Sequence, residues 1–438
     1  MSRIIFIYIF VIFLSSCSLN SNSKFWSSDE KIDKEILINN SYKKKEILKE
    51  EQVFKKEFNE NLKIKIDNKV ELNKTLINYS NNNGINNFNS NLKKSSRYKF
   101  SKIKNFYNYE PEILFDKNNI IFFDNKGTIL KFNEDSKLEW QKNYYSKYEK
   151  KLKPLLQFAK NKNFLIVADN IAKYFMIDIE TGELIWSKNS LAPFNSQIKI
   201  FKDKFYIIDF SNTLRCFSLK NGNELWSVKT QNSLIRSQKK LSMVIVKDTL
   251  YFNNSIGDIS AVNLNNGELL WQLPTQNTLV YESAFSLETS DIITDNKTLF
   301  FSNNQNQLFS LDLSTGSFNW DTKINSNIRP TIIGNMLFTI SQEGYLFLID
   351  KKTGNIIRVT NVFSNFKFKK RKEINPTGFI VGSEKIYLST NNGRLLVIDI
   401  STGKTDFVLK IDNEKILRPV VLNQNLFVIK DNAIIKLN

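Results

Sequence analysis

The chain is expected to fold as an all-β protein, an eight-bladed β-propeller of four-stranded antiparallel blades closed by an N-terminal strand. Three features of its 438 residues carry that expectation. A Trp-centred motif returns at a regular period, the residues between copies read as short strands and polar turns, and the last copy lacks one strand that an upstream segment can supply.

The clearest copy of the motif is Asp178-Ile179-Glu180-Thr181-Gly182-Glu183-Leu184-Ile185-Trp186. Equivalent aromatic positions are Trp140, Trp226, Trp271 and Trp320, and fading copies place Arg358 and Phe407 in the same slot. The spacings run 46, 40, 45, 49, 38 and 49 residues, the period of an array of small β units. Gly stands four residues before the slot in most copies (Gly182, Gly222, Gly267, Gly316, Gly354, Gly403), whereas the first copy has Ser136. Gly here is turn chemistry, a positive φ without steric cost. The recurring Trp is first a structural residue: burying one contributes at most roughly 4–6 kcal/mol.

Residues 1–16 read as a signal peptide. One Arg precedes eleven apolar residues from Ile4 to Leu14, enough for a signal core and too few to span a bilayer. Leu14-Ser15-Ser16-Cys17 resembles a bacterial lipobox, which implies that Cys17 is lipid-modified and becomes the mature N-terminus. More than one acyl chain would hold the protein stably on a membrane. Ser18 stands where lipoproteins kept at the inner membrane often have Asp, so this resemblance implies the periplasmic face of the outer membrane. The other cysteine, Cys216, sits in an apolar strand pattern, which leaves no disulfide framework.

Residues 17–96 are rich in Asn, Ser, Lys and Glu and read as a polar tether. Within it Lys43 to Leu62 has the spacing of a short amphipathic helix, with Ile47, Phe54 and Phe58 on one face. Docking on the propeller rim, contact with a partner and fraying are all open to it. The net charge of +18 does not point to nucleic acid, because the basic residues are spread along the chain. The one dense cluster, Lys367 to Lys372, falls in a single expected loop.

The propeller is expected over 97–438. Its fifth unit shows the order: strand Thr298 to Ser302, a polar turn, strand Gln307 to Asp312, the turn Ser314-Thr315-Gly316, and a third strand ending at Trp320. A shorter apolar stretch precedes each such set, as at Glu112 to Phe115, Ile198 to Phe201 and Thr331 to Ile333, making four strands per unit. Seven units reach the slot. An eighth begins at Leu417 and stops at Leu437 without its outer strand, and the alternating segment Arg97 to Lys104 can supply it, leaving no unpaired edge on the ring.

The repeat Asp-x-x-Thr-Gly-x-x-x-Trp resembles the quinoprotein (PQQ-like) propeller repeat, and eight blades behind a lipobox resemble the BamB family. That resemblance implies a non-enzymatic lipoprotein scaffold of the outer-membrane β-barrel assembly (BAM) complex, without a cofactor. Its implied partners are the POTRA domains of the barrel-insertion protein BamA and unfolded outer-membrane proteins. The alternatives are another periplasmic interaction module or a PQQ-dependent dehydrogenase. Many such enzymes carry an adjacent cysteine pair under the quinone, and this chain has no adjacent cysteines and no His.

Blade-to-blade connections are expected on the face opposite the Thr-Gly turns, and those after Trp226, Trp271 and Arg358 are the longest. The first contains Gln231-Asn232-Ser233-Leu234-Ile235-Arg236-Ser237, apolar residues beside an Arg. The resemblance implies that Leu234 and Arg236, with Ile235 between them, contact the POTRA domains. The alternative is that Leu234 and Ile235 begin the next blade. In the neighbouring connection, Glu288 is the acidic contact that the resemblance suggests.

Overall fold

The computed structural model describes residues 55–66, 88–90, 92–104, 109–231, 237–275 and 287–438. The signal peptide, Cys17 and most of the tether lie outside these residues. Eight four-stranded antiparallel sheets follow one another along the chain. Blade 1 runs from the axis outward through Leu114–Asp116, Asn119–Phe123, Ile129–Phe132 and Leu138–Lys142. Blade 2 repeats the order with Leu156–Asn161, Phe164–Asp169, Lys173–Asp178 and Leu184–Asn189. Blades 3 to 7 occupy 199–229, 243–273, 293–322, 331–361 and 376–410.

Blade 8 takes three strands from the C-terminal part, Val420–Leu422, Asn425–Lys430 and Ala433–Leu437, and its outer strand from Lys94–Lys99. That strand pairs with the last one through Arg97↔Ile435 and Tyr98↔Ile434. The closing strand thus lies three residues upstream of the expected Arg97 to Lys104. Past its end the chain still clings to the blade, with the amides of Phe100 and Ile103 donating to the carbonyls of Asn432 and Asp431 at 3.2 and 2.9 Å.

The helix expected over Lys43 to Leu62 is corrected where it can be seen, since residues 55–62 are not helical. Phe58 instead forms an antiparallel bridge with Val359 on the outer strand of blade 6, Ile356–Asn361. An outermost strand carries unpaired N–H and C=O groups, and a segment that satisfies them gains what helical spacing alone does not supply. The basic cluster near Lys370 is also not a plain loop: Phe368–Arg371 forms one exposed helical turn between blades 6 and 7.

The middle strands of each blade are buried on both faces because they are sandwiched between neighbouring blades, and they read as unbroken apolar runs. Outer strands alternate between exposed and partly buried positions, as in Leu184–Asn189. The core therefore lies between blades. Between blades 2 and 3, Phe205 and Phe217 stack at 5.0 Å with Tyr174 tilted against Phe217 at 4.7 Å.

The turn motif joins one blade to the next. Asp178 accepts from the amides of Glu180 and Thr181 at 2.9 Å and from the Thr181 hydroxyl at 3.1 Å. The Gly182 amide closes the turn on the Asp178 carbonyl at 2.9 Å. The Thr181 amide, above all, holds the Asp178 carboxyl below its usual range. On this turn lies the Trp of the preceding blade, and the indole Nε1 of Trp140 donates to the Ile179 carbonyl at 3.1 Å.

Trp186, Trp271 and Trp320 repeat that bond to Leu219, Leu313 and Lys351 at 3.1, 3.3 and 3.1 Å. Trp226 does not. Its Nε1 has no acceptor among the described residues, and the equivalent carbonyl, Leu264, is taken by the Tyr206 hydroxyl at 3.2 Å. In blades 1 to 7 the outer strand carries a one-residue bulge immediately before the slot, so that Met176 faces Trp186 while Ile177 faces Leu184. A bulge re-aims the side chain that follows it, here toward the next blade.

Because the indole lies on the turn, the glycine has no room for a side chain. A Cβ on Gly222, whose φ is +69°, would meet the Trp186 ring at 2.7 Å. Gly222→Ala is expected to cost about 2–5 kcal/mol in urea unfolding, from left-handed strain plus overpacking. Gly334, with φ +56° and nothing within 4 Å of its Cβ, isolates the first cost, and Gly334→Ala is expected to lose about 1–2 kcal/mol. Equal losses at the two positions would show that the ring contact contributes nothing.

Candidate interface on the loop face

In a meander of four strands, the blade-to-blade connections leave on the face opposite the Thr-Gly turns, beside the turns that join second and third strands. Both long connections are fixed at their ends to that second set of turns. At the first, the Asn212 side chain donates to the Gln231 carbonyl at 3.0 Å, and the Ser237 amide donates to the Ser255 carbonyl at 2.8 Å. At the second, the Thr275 hydroxyl donates to the Gly257 carbonyl at 2.7 Å, the Glu288 amide donates to the Asn304 side-chain oxygen at 2.9 Å, and the Asn304 amide donates to the Glu288 carbonyl at 3.1 Å. The Ser255 amide also donates to the Asn212 side chain at 3.0 Å, tying the turns of blades 3 and 4 together. Leu234, Ile235 and Arg236 lie outside the described residues.

Glu288 is described and is exposed on the rim of a bowl of about 400 Å³ at the channel mouth. Ser237, Lys239, Lys240, Leu287 and Asn327 line the same bowl. The Asn327 amide donates to the Glu288 carboxylate, which holds that acid against blade 6. The far end of the first connection and the acid of the second are therefore brought to one rim.

Beneath the bowl a buried polar layer crosses the channel. Lys240 pairs with Glu112 at 2.7 Å and donates to the Glu110 carbonyl at 2.8 Å, joining blade 4 to blade 1. Arg329 of blade 6 reaches Asp291 of blade 5 at 3.4 Å. Gln197 of blade 3 approaches both acids, at 3.3 and 3.5 Å. Burial pushes the Glu112 carboxyl up, but the Lys240 ammonium outweighs it, and the group rests below its usual range. Lys199 faces Glu112, Arg329, Asp291 and Lys240, and burial brings its ammonium down to about 8.

None of these layer residues stood out in the sequence, since each is a single polar or charged residue at or just before the start of an inner strand. Trp140, Trp186, Trp226, Trp271 and Trp320 lie on the turns holding Gly182, Gly222, Gly267, Gly316 and Gly354. Among the described residues no three His, Cys, Asp or Glu side chains converge as metal ligands. Cys216 is buried, and burial drives its thiol up to about 12, so it stays protonated at neutral pH.

Eight blades of this repeat, with loops gathered around one mouth, define a quinoprotein-type propeller. A family model described as outer membrane protein assembly factor BamB matches residues 116–360, more than half of the chain. The chain belongs to that family, whose name assigns it to outer-membrane protein assembly. A curated relative, the assembly factor BamB of Legionella pneumophila (strain Paris), is 25% identical over 114 residues, a stretch covering 25% of this chain and 27% of that protein. The crystal structure of BamB from Moraxella catarrhalis superposes with a TM-score of 0.63 at 14% identity, covering 79% of this chain and 99% of that one. The computationally designed Ika8 protein superposes at 0.58 with 11% identity, covering 78% and 99%.

Lys199 provides a test of the buried layer. Its folded value lies below the unfolded value near 10.5, so the unfolded chain binds more protons between about pH 8 and 10.5, and stability rises with pH across that window. Relative to the wild type, Lys199→Met is expected to remove a rise on the order of 3 kcal/mol in urea unfolding between pH 8 and pH 10.5. Parallel pH profiles for the two proteins would show that Lys199 carries no burial penalty.

Proposed function

We propose that the protein is a non-enzymatic, lipid-anchored scaffold of the outer-membrane β-barrel assembly complex. It works at the periplasmic face of the outer membrane and docks its loop face onto the POTRA domains of the barrel-insertion protein BamA. There it holds those domains in place and assists the folding and insertion of outer-membrane proteins, whose unfolded chains it also meets. Cys17 carries the anchor in this reading.

The observation that carries the docking surface is the convergence of the two long connections. Their ends are tied to adjacent turns on one face, and Glu288 stands exposed beside them. A rigid ring whose sequence puts an Arg with apolar neighbours in one connection, and whose next connection ends in an exposed acid, has the makings of a charged, centrally anchored interface. Membership of the assembly-factor family supports the partner's identity.

Affinity purification of the full chain from detergent-solubilised membranes of its own cell is expected to recover the barrel-insertion protein in stoichiometric amount. Leu234→Ala with Arg236→Ala is expected to weaken that association roughly 10- to 100-fold while the protein stays folded. Unchanged recovery with the folded double variant would rule out this loop as the contact. The anchor is tested separately. Cys17→Ser is expected to move the protein from the detergent phase to the aqueous phase in detergent phase partitioning, and no shift would exclude a lipid on that residue.

A further inference from the structure

Blade 6 is the one complete blade with Arg in the slot, and the structure shows what the Arg does there. Arg358 Nη2 donates to the Ile400 carbonyl at 2.8 Å, the position in blade 7 that corresponds to the acceptor of Trp140, Trp186, Trp271 and Trp320. The guanidinium thus keeps the blade-to-blade bond. It also does something an indole cannot. Nη1 donates to the Leu62 carbonyl at 3.0 Å and to the Ser401 carbonyl, clasping residues 55–66 across the blade 6 to blade 7 groove.

The clasped segment pairs with the exposed edge at Phe58, turns at once through Asn59, where the Leu62 amide donates to the Asn59 carbonyl at 2.9 Å and the Asn59 side chain donates to the Ile357 carbonyl at 3.0 Å, and then runs on to Ile66. The Phe58 amide donates to the Val359 carbonyl at 3.0 Å and the Phe58 carbonyl accepts from the Val359 amide at 2.8 Å, while the Ile64 amide donates to the Ser401 carbonyl at 2.9 Å. Ile64 and Ile66 pack against the core shared by blades 6 and 7. Other contacts are peripheral: Tyr345 to the Lys55 carbonyl at 2.9 Å and the Asn361 amide to the Glu57 carboxylate at 3.0 Å. Phe58 and Leu62 remain 43% and 44% exposed, so the segment is held by backbone bonds and the clasp more than by burial. Arg358 itself is 1% exposed, and the three acceptors found for it are neutral carbonyls.

We propose that the blade 6 to blade 7 groove, floored by Arg358, is a binding site for a polypeptide that pairs with the blade 6 edge, turns under the Arg358 clasp and lays aliphatic side chains on the shared core, and that residues 55–66 occupy it in cis as a displaceable strap. Recognition is largely by the backbone: the edge strand takes one residue that offers N–H and C=O in register, and beyond the turn Arg358 reads one carbonyl. The apolar floor that receives Ile64 and Ile66 selects for aliphatic residues spaced two apart. Blades 1 to 5 keep Trp in the slot, and their indoles do not reach beyond the adjacent turn.

The test uses the full chain and a fluorescent peptide with the sequence of residues 55–66. Arg358→Trp restores the residue found in five other blades, and with it the blade-to-blade contact, while removing the reach to Leu62. Protease cleavage within 55–66 and exchange of the Val359 and Ile64 amides are expected to rise roughly 10- to 100-fold in this variant, as loss of one charged hydrogen bond implies, with the urea midpoint of the ring unchanged. Phe58→Pro removes the bridging N–H and frees the site without touching its floor. That variant is expected to bind the peptide in trans at least about tenfold more tightly than wild type, and adding Arg358→Trp is expected to abolish the gain. An unchanged cleavage rate in folded Arg358→Trp, or no peptide binding by Phe58→Pro, would overturn the proposal.

Discussion

Everything in this ring depends on one contact: the indole of one blade laid over the glycine of the next blade's turn, with its N–H, in every Trp copy but Trp226, on the second carbonyl of that turn. It asks for four things in every repeat. A short polar residue must organise the turn, Asp in most blades but Ser218 in blade 3 and Asn263 in blade 4, a glycine must leave the ring space, a bulge must aim the Trp, and the next blade must present a turn at that height. The copies that depart from the motif are those where one condition changes. Arg358 keeps the carbonyl bond and adds a second duty. Phe407 faces a blade whose third and fourth strands, Ala433–Leu437 and Lys94–Lys99, are not joined by a turn at all. No glycine waits there, and Phe407 is 48% exposed. In blade 8 the slot falls to Tyr98, whose hydroxyl donates to the Glu134 carbonyl at 3.0 Å, the blade 1 equivalent of the Trp acceptors.

The two faces of the ring divide the work. Turns on one side are short, hydrogen-bonded within themselves and committed to holding neighbours. Connections on the other vary in length and surround a polar bowl over a layer of crossed charges. Buried ion pairs are poor sources of net stability; here Lys240 with Glu112 joins blade 4 to blade 1, while Arg329 with Asp291 joins the neighbouring blades 6 and 5. What they supply is position, because each charge must find one particular partner on another blade and thereby fixes the inner strands beneath the loops.

The blade count, the slot residues and the turn glycines were legible because they repeat, and repetition turns weak local signals into a strong one. The closing strand was legible in kind and displaced by three residues, since an alternating run such as Arg97 to Lys104 does not declare which of its residues will find partners. The bulges were invisible, being a matter of register between strands. Lys240, Glu112, Asp291 and Arg329 were invisible for the opposite reason: each is unique, and only the closed ring brings residues 128 positions apart into contact. The segment around Phe58 was misread because apolar residues four apart suit one helical face, while the unpaired edge of blade 6 that captures it lies 300 residues downstream.

The route of the N-terminal region bears on how the ring withstands force. A closing strand held edge-on to its neighbour can be peeled away one bond at a time, and a pull on Lys94 from upstream would load the pairs Arg97↔Ile435 and Tyr98↔Ile434 in sequence. The chain meets blades 6 and 7 first, at 55–66, and then seats Phe88, fully buried against Tyr387, before it enters blade 8. Tension applied ahead of residue 55 is delivered to the groove floored by Arg358 and then to the pocket of Phe88. The seam that closes the ring lies third in line, shielded as a knot is by turns of rope around a post.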